Sequence, residues 1–221
     1  MIQVSLKESI GRNSYFILPY FSIFLLLFVL LLFFPKADVH LFINNCNSPF
    51  LDLFFKWITI LGNGFFTMGI VCLFLFFHFR KSATILLAFV ISGIIVQCLK
   101  ATVFSETLRP SAYFEGKSPL HLVEGVYLLS NQSFPSGHSA SAFALFLCLA
   151  TFTSNKLVKF LLFVLASLTA FSRVYLSQHF LGDALAGSLL GVIITLLAIY
   201  YIYHRKMFGF LDNSIIPHPQ K

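Results

Sequence analysis

The hydrophobic positions of this chain form long runs that alternate with shorter polar segments. The first run, Ile17–Phe34, has 18 residues, and a helix of that length crosses the hydrocarbon layer of a membrane, which is about 30 Å thick. Five more runs follow along the chain: Phe65–Phe79, Ala83–Leu99, Gly137–Phe152, Leu157–Tyr175 and Ala184–Tyr203. The pattern therefore predicts six membrane-spanning helices.

Two of the polar segments are long enough to carry structure of their own. Residues 35–64 are predicted as a loop with an amphipathic helix over Phe50–Leu61 that lies at the membrane surface. Gly62–Asn63–Gly64 breaks the chain before the second run, and Arg80–Lys81 is predicted as a tight turn after it. Residues 105–135 form the longest polar stretch.

Composition agrees with this pattern. The chain has 221 residues, of which 58% are hydrophobic and 10% charged, whereas soluble domains carry about 25% charged residues. We therefore predict an all-α integral membrane protein, with residues 1–221 forming a single membrane domain. Its six transmembrane helices form one bundle, with a helical and loop segment on the outer face. The net charge of +7 is spread thinly without a Lys/Arg-rich run, which excludes a nucleic-acid-binding protein.

The distribution of basic residues predicts the orientation in the membrane. The amino terminus carries a net charge of +1, and the second loop, the fourth loop and the carboxyl-terminal tail carry +2 each. The other three loops each sum to zero. The positive-inside rule therefore places both termini in the cytoplasm and the first, third and fifth loops outside. The alternative of a cleaved signal peptide is disfavoured, because Pro35–Lys36–Ala37 is a poor cleavage site.

This topology places a group of unusual polar residues near the same outer face. The group contains Lys100, Arg109, Ser136, Gly137, His138, Arg173, His179 and Asp183. Arginine offers a planar fork for phosphate oxygens and lysine adds a point charge, so the three cations indicate an anion site. Ser136 and Gly137 stand at a predicted helix start, where backbone N–H groups and the positive end of the helix favour an anion.

The two histidines and the aspartate suggest acid–base and nucleophilic chemistry. His179 and Asp183 are four residues apart and would share a face if the helix began by His179. The carboxylate would then fix one ring nitrogen and leave the other free to attack. His138, which comes from a different helix, is the candidate acid for the leaving oxygen and the base for water.

These residues resemble the three-part signature of the type 2 phosphatidic acid phosphatase superfamily, also called the lipid phosphate phosphatase family. The matching segments are Lys100…Arg109–Pro110, Pro135–Ser136–Gly137–His138 and Ser172–Arg173…His179…Asp183. The resemblance covers roughly residues 50–203. The first segment departs from the family pattern, because eight residues separate lysine from arginine where six are usual.

The resemblance implies a phosphohistidine mechanism without a metal or other cofactor. His179 would be the nucleophile, Asp183 its orienting group and His138 the acid and base. The remaining five residues of the group would bind the phosphate: Lys100, Arg109, Ser136, Gly137 and Arg173. His121 and Glu124 in the third loop are candidates for contact with the substrate headgroup.

Three other functions remain open from the residues themselves. A serine hydrolase would use Ser136 with His179 and Asp183, although the Gly-x-Ser-x-Gly elbow is missing and the cations do not suit acyl transfer. A non-enzymatic lipid-binding or transport protein would not need the His179–Asp183 pair. A phosphotransferase of the same family would pass the phosphoryl group to another lipid instead of water.

The expected partners are therefore a lipid phosphate and the bilayer itself. The topology favours a multi-pass enzyme of the inner (plasma) membrane whose site faces the periplasm or exterior. Candidate substrates are undecaprenyl diphosphate, lipid A phosphates, phosphatidylglycerol phosphate and phosphatidic acid. The first two are preferred, because an outward-facing site suits recycling or remodelling of the cell envelope.

Overall fold

The computed structural model describes residues 6–204, and helices make up all the regular structure in that range. In chain order they are α1 Leu6–Arg12, α2 Ser14–Phe33, α3 Lys36–Asn45, α4 Pro49–Ile58, α5 Gly64–Phe77, α6 Phe79–Thr102, α7 Pro110–Tyr113, α8 Gly137–Thr151, α9 Lys156–Tyr175 and α10 Leu181–His204. A 3₁₀ turn, Thr59–Gly62, extends α4. The predicted all-helical fold is confirmed.

Helix α8 stands at the centre of the bundle and packs against α6, α9 and α10. Small and apolar residues surround it on all sides, and Ala142, Leu145, Leu147 and Cys148 are fully buried. A helix of 15 residues is only about 22 Å long. Because protein rather than lipid covers its whole circumference, α8 does not need to extend across the full hydrocarbon layer.

Two glycines allow α10 to approach α8 closely. Gly187 and Gly191 are four residues apart, and a Cβ atom on either would overlap a backbone carbonyl of α8, at Ser136 and Ala140 respectively. Small residues at this spacing let two helix backbones pack against each other inside a membrane. The close packing fixes the start of α8 beside the start of α10.

Helix α2 closes one side of the bundle. Phe16 and Tyr20 on its inner face pack against Phe143 of α8 and Phe163 of α9 in an apolar core. Its outer face is apolar and exposed; Leu18, for example, is 67% exposed. An exposed leucine-rich face is what a helix surrounded by lipid requires.

Four helices, α2, α6, α9 and α10, are long and apolar enough to cross a membrane, and the bent pair formed by α4 and α5 would be a fifth span. The two halves of this pair meet at 52° beside Asn63, whose side chain caps α5. Helix α8 is apolar but shorter. A membrane protein with several spanning helices is therefore confirmed, whereas the count of six remains a prediction.

Several predicted boundaries need correction. The segment after α2 is not a loop, because α3 occupies Lys36–Asn45. The predicted turn at Arg80–Lys81 is wrong: the break lies at His78, and both basic residues belong to the first turn of α6. The surface helix ends at Ile58, before the 3₁₀ turn. Arg205 and Lys206, which entered the charge count, lie outside the described residues.

Candidate active site

Four helices bring polar residues to one end of the bundle. Lys100 lies in the last turn of α6 and Arg173 in the last turn of α9, whereas Ser136 caps the start of α8 and Asp183 lies in the first turn of α10. Antiparallel neighbours thus present opposite ends at the same level. Residues far apart in the sequence meet there because the helices alternate in direction.

Arg109 reaches the same place from the connection between α6 and α8. The two ends of this connection pair through backbone hydrogen bonds, from Arg109 N–H to Ser130 O (2.8 Å) and from Ser133 N–H to Thr107 O (3.0 Å). The pairing brings Arg109 close to the start of α8. The charge of Arg109 acts on Lys100 although eight residues separate the two in the sequence.

The carboxylate of Asp183 is held by three neighbours. Its Oδ2 atom accepts hydrogen bonds from Ser133 Oγ (2.5 Å) and from the backbone N–H of Phe180 (2.9 Å). His179 Nδ1 lies 3.7 Å from the same oxygen, which is an ion-pair distance but longer than a hydrogen bond. Helix α10 begins only at Leu181, so His179 precedes the helix that carries its carboxylate partner.

His179 is a buried neutral base in this site. Burial lowers the pKa of its ring to about 4, the charges of Arg109 and Arg173 add to the lowering, and Asp183 opposes it. A neutral imidazole keeps a lone pair for attack on an electrophile. Within residues 6–204 its Nδ1 atom has no hydrogen-bond partner and faces Asp183, so Nε2 is the nitrogen left for chemistry.

The two arginines share an acceptor that sequence reasoning missed. Gln178 Oε1 accepts from Arg109 Nη1 (3.2 Å) and from Arg173 Nη2 (3.4 Å), and the Gln178 amide nitrogen donates to Tyr127 O (3.0 Å). Further bonds to Asn131 O and Thr59 Oγ1 fix the guanidinium groups. The available signal was a polar residue directly before the histidine of the third motif.

The site carries an excess of buried positive charge. Lys100, Arg109 and Arg173 are only 7%, 5% and 8% exposed, and burial lowers the pKa of the Arg109 guanidinium. Asp183 is the carboxylate that acts on Lys100 and Arg109. Buried cations are costly unless an anion compensates them. The arrangement is therefore suited to bind an anion with more than one negative charge.

The start of α8 is built by a serine cap. Ser136 Oγ accepts from the Ser139 backbone N–H (3.3 Å) and from Ser139 Oγ (2.9 Å), and the Ser136 N–H donates to Asp183 O (2.9 Å). Ser136 is fully buried, so its side chain shapes the helix start. Gly137 and His138 follow in the first turn, where backbone N–H groups lack intrahelical acceptors.

His138 is half-buried beside the other predicted groups. The charges of Arg173, Arg109 and Lys100 and the nearby ring of His179 act on it electrostatically. Behind it, Gly62 presses against the backbone, and a Cβ on Gly62 would stand 2.8 Å from His138 O. The 3₁₀ turn after α4 therefore packs against the backbone of His138 and fixes its position.

His121 and Glu124 make polar contacts with α4. His121 Nε2 is 2.9 Å from Asp52 Oδ2, and the same carboxylate accepts from Tyr175 OH (2.6 Å). The backbone oxygen of Glu124 accepts from Lys56 Nζ (2.7 Å), while its side chain is exposed. These bonds attach the connection between α6 and α8 to α4. Contact of either residue with a headgroup stays a prediction.

A cavity of about 330 Å³ opens beside Asp183 and Ser133. Its remaining walls include the apolar side chains of Leu31, Phe134 and Phe180. The cavity therefore joins polar groups of the site to an apolar surface close to the end of α2.

Comparison with known proteins identifies the family. The model of the PAP2 superfamily matches residues 81–207, which is more than half of the chain. The chain belongs to the PAP2 superfamily. As a PAP2 protein it is a phosphatase of the hydrolase class. The matched region contains all eight residues predicted to bind phosphate or catalyse, whereas the expected core began earlier, near residue 50.

Three relatives extend the comparison. A lipid A 4'-phosphatase from Porphyromonas gingivalis is 26% identical over 197 residues, covering 83% of this chain and 79% of that protein. The crystal structure of Aquifex aeolicus LpxE has a TM-score of 0.65 at 28% identity, over 73% of this PAP2 chain and 93% of LpxE. A PAP2-type phosphatidylglycerolphosphate phosphatase from Bacillus subtilis has a TM-score of 0.62 at 25% identity, over 85% and 96%.

Proposed function

We propose that this PAP2 protein removes phosphate from a membrane lipid through a covalent phosphohistidine intermediate. The observation that carries the proposal is the convergence of three buried cations with the His179–Asp183 pair at one end of four helices. The cations would bind the phosphoryl group, and the pair would supply the nucleophile. The same group contains His138 as the second histidine.

In the first step, Nε2 of His179 attacks phosphorus while the bond between phosphorus and the lipid oxygen breaks. Asp183 faces Nδ1 and stabilises the positive charge that develops on the ring. His138 donates a proton to the leaving oxygen. The products of this step are a dephosphorylated lipid and phosphorylated His179.

In the second step, water attacks phosphorus and the nitrogen–phosphorus bond breaks. His138, which lost its proton in the first step, accepts a proton from the water. Inorganic phosphate leaves and His179 returns to its neutral form. Both histidines are then ready for another turnover, so the cycle needs no metal or other cofactor.

The remaining predicted residues hold the phosphoryl oxygens. Lys100, Arg109 and Arg173 supply positive charge where negative charge is spread over the transition state. The N–H groups of Gly137 and His138 add donors at the positive end of α8. Ser136 caps α8 through the two hydrogen bonds that its hydroxyl accepts, and the proton of that hydroxyl is available to donate to a phosphoryl oxygen.

The substrate we favour is a lipid phosphomonoester of the lipid A type, with undecaprenyl diphosphate next. The named activity of the Porphyromonas gingivalis relative supports the first choice. The cavity beside Asp183 has both polar and apolar walls, which suits the junction of a phosphorylated headgroup with its acyl chains.

We further infer that residues 1–221 form one membrane domain with six spans, namely α2, α5, α6, α8, α9 and α10. At the end of the bundle opposite the site, Arg12, Lys81 and Thr151 line one cavity. Lys159 donates a hydrogen bond to Asn13, which lines the same cavity. Basic residues at that end support a cytoplasmic location for it and an outward-facing site in the inner (plasma) membrane.

Phosphate release from a panel of lipids tests the proposal. The purified protein is assayed in detergent with EDTA against a lipid A phosphate, undecaprenyl diphosphate, phosphatidylglycerol phosphate and phosphatidic acid. We expect release from at least one lipid and none from His179→Ala. Equal release by His179→Ala, or no release from any lipid, would refute the proposed function.

The same panel separates the alternatives. A serine hydrolase would lose all activity in Ser136→Ala, which should only weaken a histidine phosphatase, and a lipid-binding or transport protein would release no phosphate. A phosphotransferase would release phosphate poorly until a second lipid with a free hydroxyl or phosphate group is added. Its phosphorylated product would then appear in lipid extracts.

A further inference from the structure

Helix α3 lies outside the part of the chain that matches the family, yet it packs behind the turn that carries His179. The residues involved are His40 and Asn44, which are one helical turn apart and 1% and 4% exposed. The ring of His40 lies between Phe114 and Phe180, with ring centres 5.7 and 5.4 Å away. Two polar side chains are thus buried on one face of α3, which has only ten residues.

Both side chains converge on the hydroxyl of Ser177, two residues before His179. His40 Nε2 lies 3.2 Å from Ser177 Oγ, and Asn44 Nδ2 donates to the same oxygen at 3.4 Å. Ser177 itself is fully buried. With Asn44 as donor, the Ser177 hydroxyl is free to donate its proton to a neutral His40.

The protonation of His40 agrees with this arrangement. Burial lowers the pKa of His40 to about 4, and the nearby charge of Asp183 only partly opposes the lowering. The ring is therefore neutral at the pH of ordinary assays and keeps a lone pair that can accept from Ser177. The hydrogen-bond directions stay the same throughout the neutral range.

Ser177 needs this support because of its backbone. Its φ angle is 52°, in the left-handed region that glycine adopts freely and other residues adopt at a cost. A residue held in such a conformation persists when its surroundings fix it. Gln178 and His179 follow directly, so the conformation of Ser177 sets the direction in which both side chains leave the turn.

Asn44 also joins the turn to the connection between α6 and α8. Its Nδ2 atom donates to His121 O (2.8 Å), and its Oδ1 atom accepts from the His121 N–H (2.8 Å). One amide side chain therefore fixes the backbone at His121 and the side chain of Ser177. Loss of Asn44 would release both contacts together.

We propose that His40 and Asn44 are positioning residues that hold Ser177 in its left-handed conformation and thereby aim His179 at the phosphorus atom. The proposal rests on the proposed function for its effect on turnover, because that function makes His179 the nucleophile. It extends the catalytic apparatus to the amino-terminal part of the chain. Neither residue touches the substrate.

Substitutions at three positions test the proposal. His40→Phe keeps an aromatic ring between Phe114 and Phe180 but removes the bond to Ser177, and Asn44→Leu keeps the side-chain volume. Ser177→Ala removes the hydroxyl and retains the backbone cost, whereas Ser177→Gly removes both. Each is measured alone, and the first two are also measured in the Ser177→Gly background.

We expect His40→Phe, Asn44→Leu and Ser177→Ala each to lower kcat at least about tenfold with KM changed less than about twofold, because the first removes one buried hydrogen bond and the other two remove more than one. Ser177→Gly should stay within about threefold of the parent protein. In that background, His40→Phe should have less than about a twofold effect on kcat, because glycine adopts the turn without the hydroxyl. Equal effects in both backgrounds would overturn the proposal.

Asn13→Ala is the matched control. Asn13 is a buried amide that contacts Thr151 and Lys159 at the opposite end of the bundle. Its loss should lower the melting temperature as much as the α3 substitutions do but leave kcat per folded molecule unchanged. If the α3 substitutions behave like this control, their role is structural and the proposal is wrong.

Hydrogen exchange separates this proposal from the proposed function. Amides of the peptide that contains Ser177–His179 should exchange at least about tenfold faster in His40→Phe and Asn44→Leu than in the parent protein. Asn13→Ala should leave that peptide unchanged. If His179→Ala still releases phosphate, the proposed function fails, while exchange in this peptide continues to test the support from α3. Unchanged exchange would refute that support directly.

Discussion

Replacing Gln178 with glutamate should impair the enzyme more than replacing it with alanine. The Gln178 side chain accepts hydrogen bonds from Arg109 and Arg173 at 3.2 and 3.4 Å. Alanine removes this shared acceptor. Glutamate has almost the same shape as glutamine but places a negative charge between the two guanidinium groups. Its carboxylate would then compete with the phosphate for both arginines.

The size of each effect follows from these contacts. A hydrogen bond that involves a charged group contributes about 1.5–3 kcal/mol, so losing one well-placed arginine contact should lower kcat/KM about 10- to 150-fold in Gln178→Ala. In Gln178→Glu the added charge also repels phosphate. Taken at about 6 Å and an effective dielectric constant of about 20, the repulsion is about 3 kcal/mol for each phosphate charge.

The assay is phosphate release from the preferred lipid in detergent micelles, together with inhibition by inorganic phosphate. We expect Gln178→Glu to be at least about tenfold slower than Gln178→Ala and to bind inorganic phosphate more weakly. Gln132→Glu is the control, because it adds the same charge at an exposed position of the connection between α6 and α8. If Gln178 only filled space, the glutamate variant would be the milder one, and that order of activities would refute the reasoning.

Three further predictions concern the support of the site. Gly62→Ala should lower both kcat and the melting temperature, since its Cβ would stand 2.8 Å from a backbone oxygen of α8. Gly69→Ala should change neither, because within residues 6–204 its Cβ would meet no atom within 4 Å beyond its chain neighbours and its own helix backbone. Ser133→Ala removes the 2.5 Å bond to Asp183 and should lower kcat at least about tenfold at unchanged KM. On its acid side, the plot of kcat/KM against pH should decline only below about pH 4, because burial lowers the pKa of His179 to about 4 and a protonated ring cannot attack. An acid-side decline centred near pH 6.5 would contradict the assignment of buried His179 as the attacking base.

The sequence was sufficient to predict the helical membrane fold and the residues that meet at one end of it. Apolar runs report the buried and lipid-facing helices directly, because both environments exclude charge. The three motifs then supplied Lys100, Arg109, His138, His179 and Asp183, which the structure brings close enough to act on one another electrostatically. Their roles in the reaction remain proposals.

The sequence did not reveal what supports these residues. Helix α3 has mixed polarity with no periodic apolar stripe, and its buried His40 and Asn44 face a turn more than 130 positions away. Gln178 contacts Arg173 of its own motif, but its other partners, Arg109 and Tyr127, lie outside that motif. Such contacts depend on long-range packing, which local pattern does not encode.

The serine of the second motif illustrates the same limit. Ser136 was predicted to bind phosphate, and the structure engages its hydroxyl in the cap of α8. The cap uses only the lone pairs of this hydroxyl, and phosphate binding through its proton stays a prediction.

Trapping of the covalent intermediate tests the central claim most directly. The enzyme is mixed with lipid labelled in its phosphate group, stopped within milliseconds in alkaline detergent, and assayed for label bound to protein. We predict label on His179 that survives alkali, is lost in acid, and is absent from His179→Ala. Label on Ser136 that is lost in alkali and survives acid, or turnover without any labelled protein, would contradict the phosphohistidine mechanism.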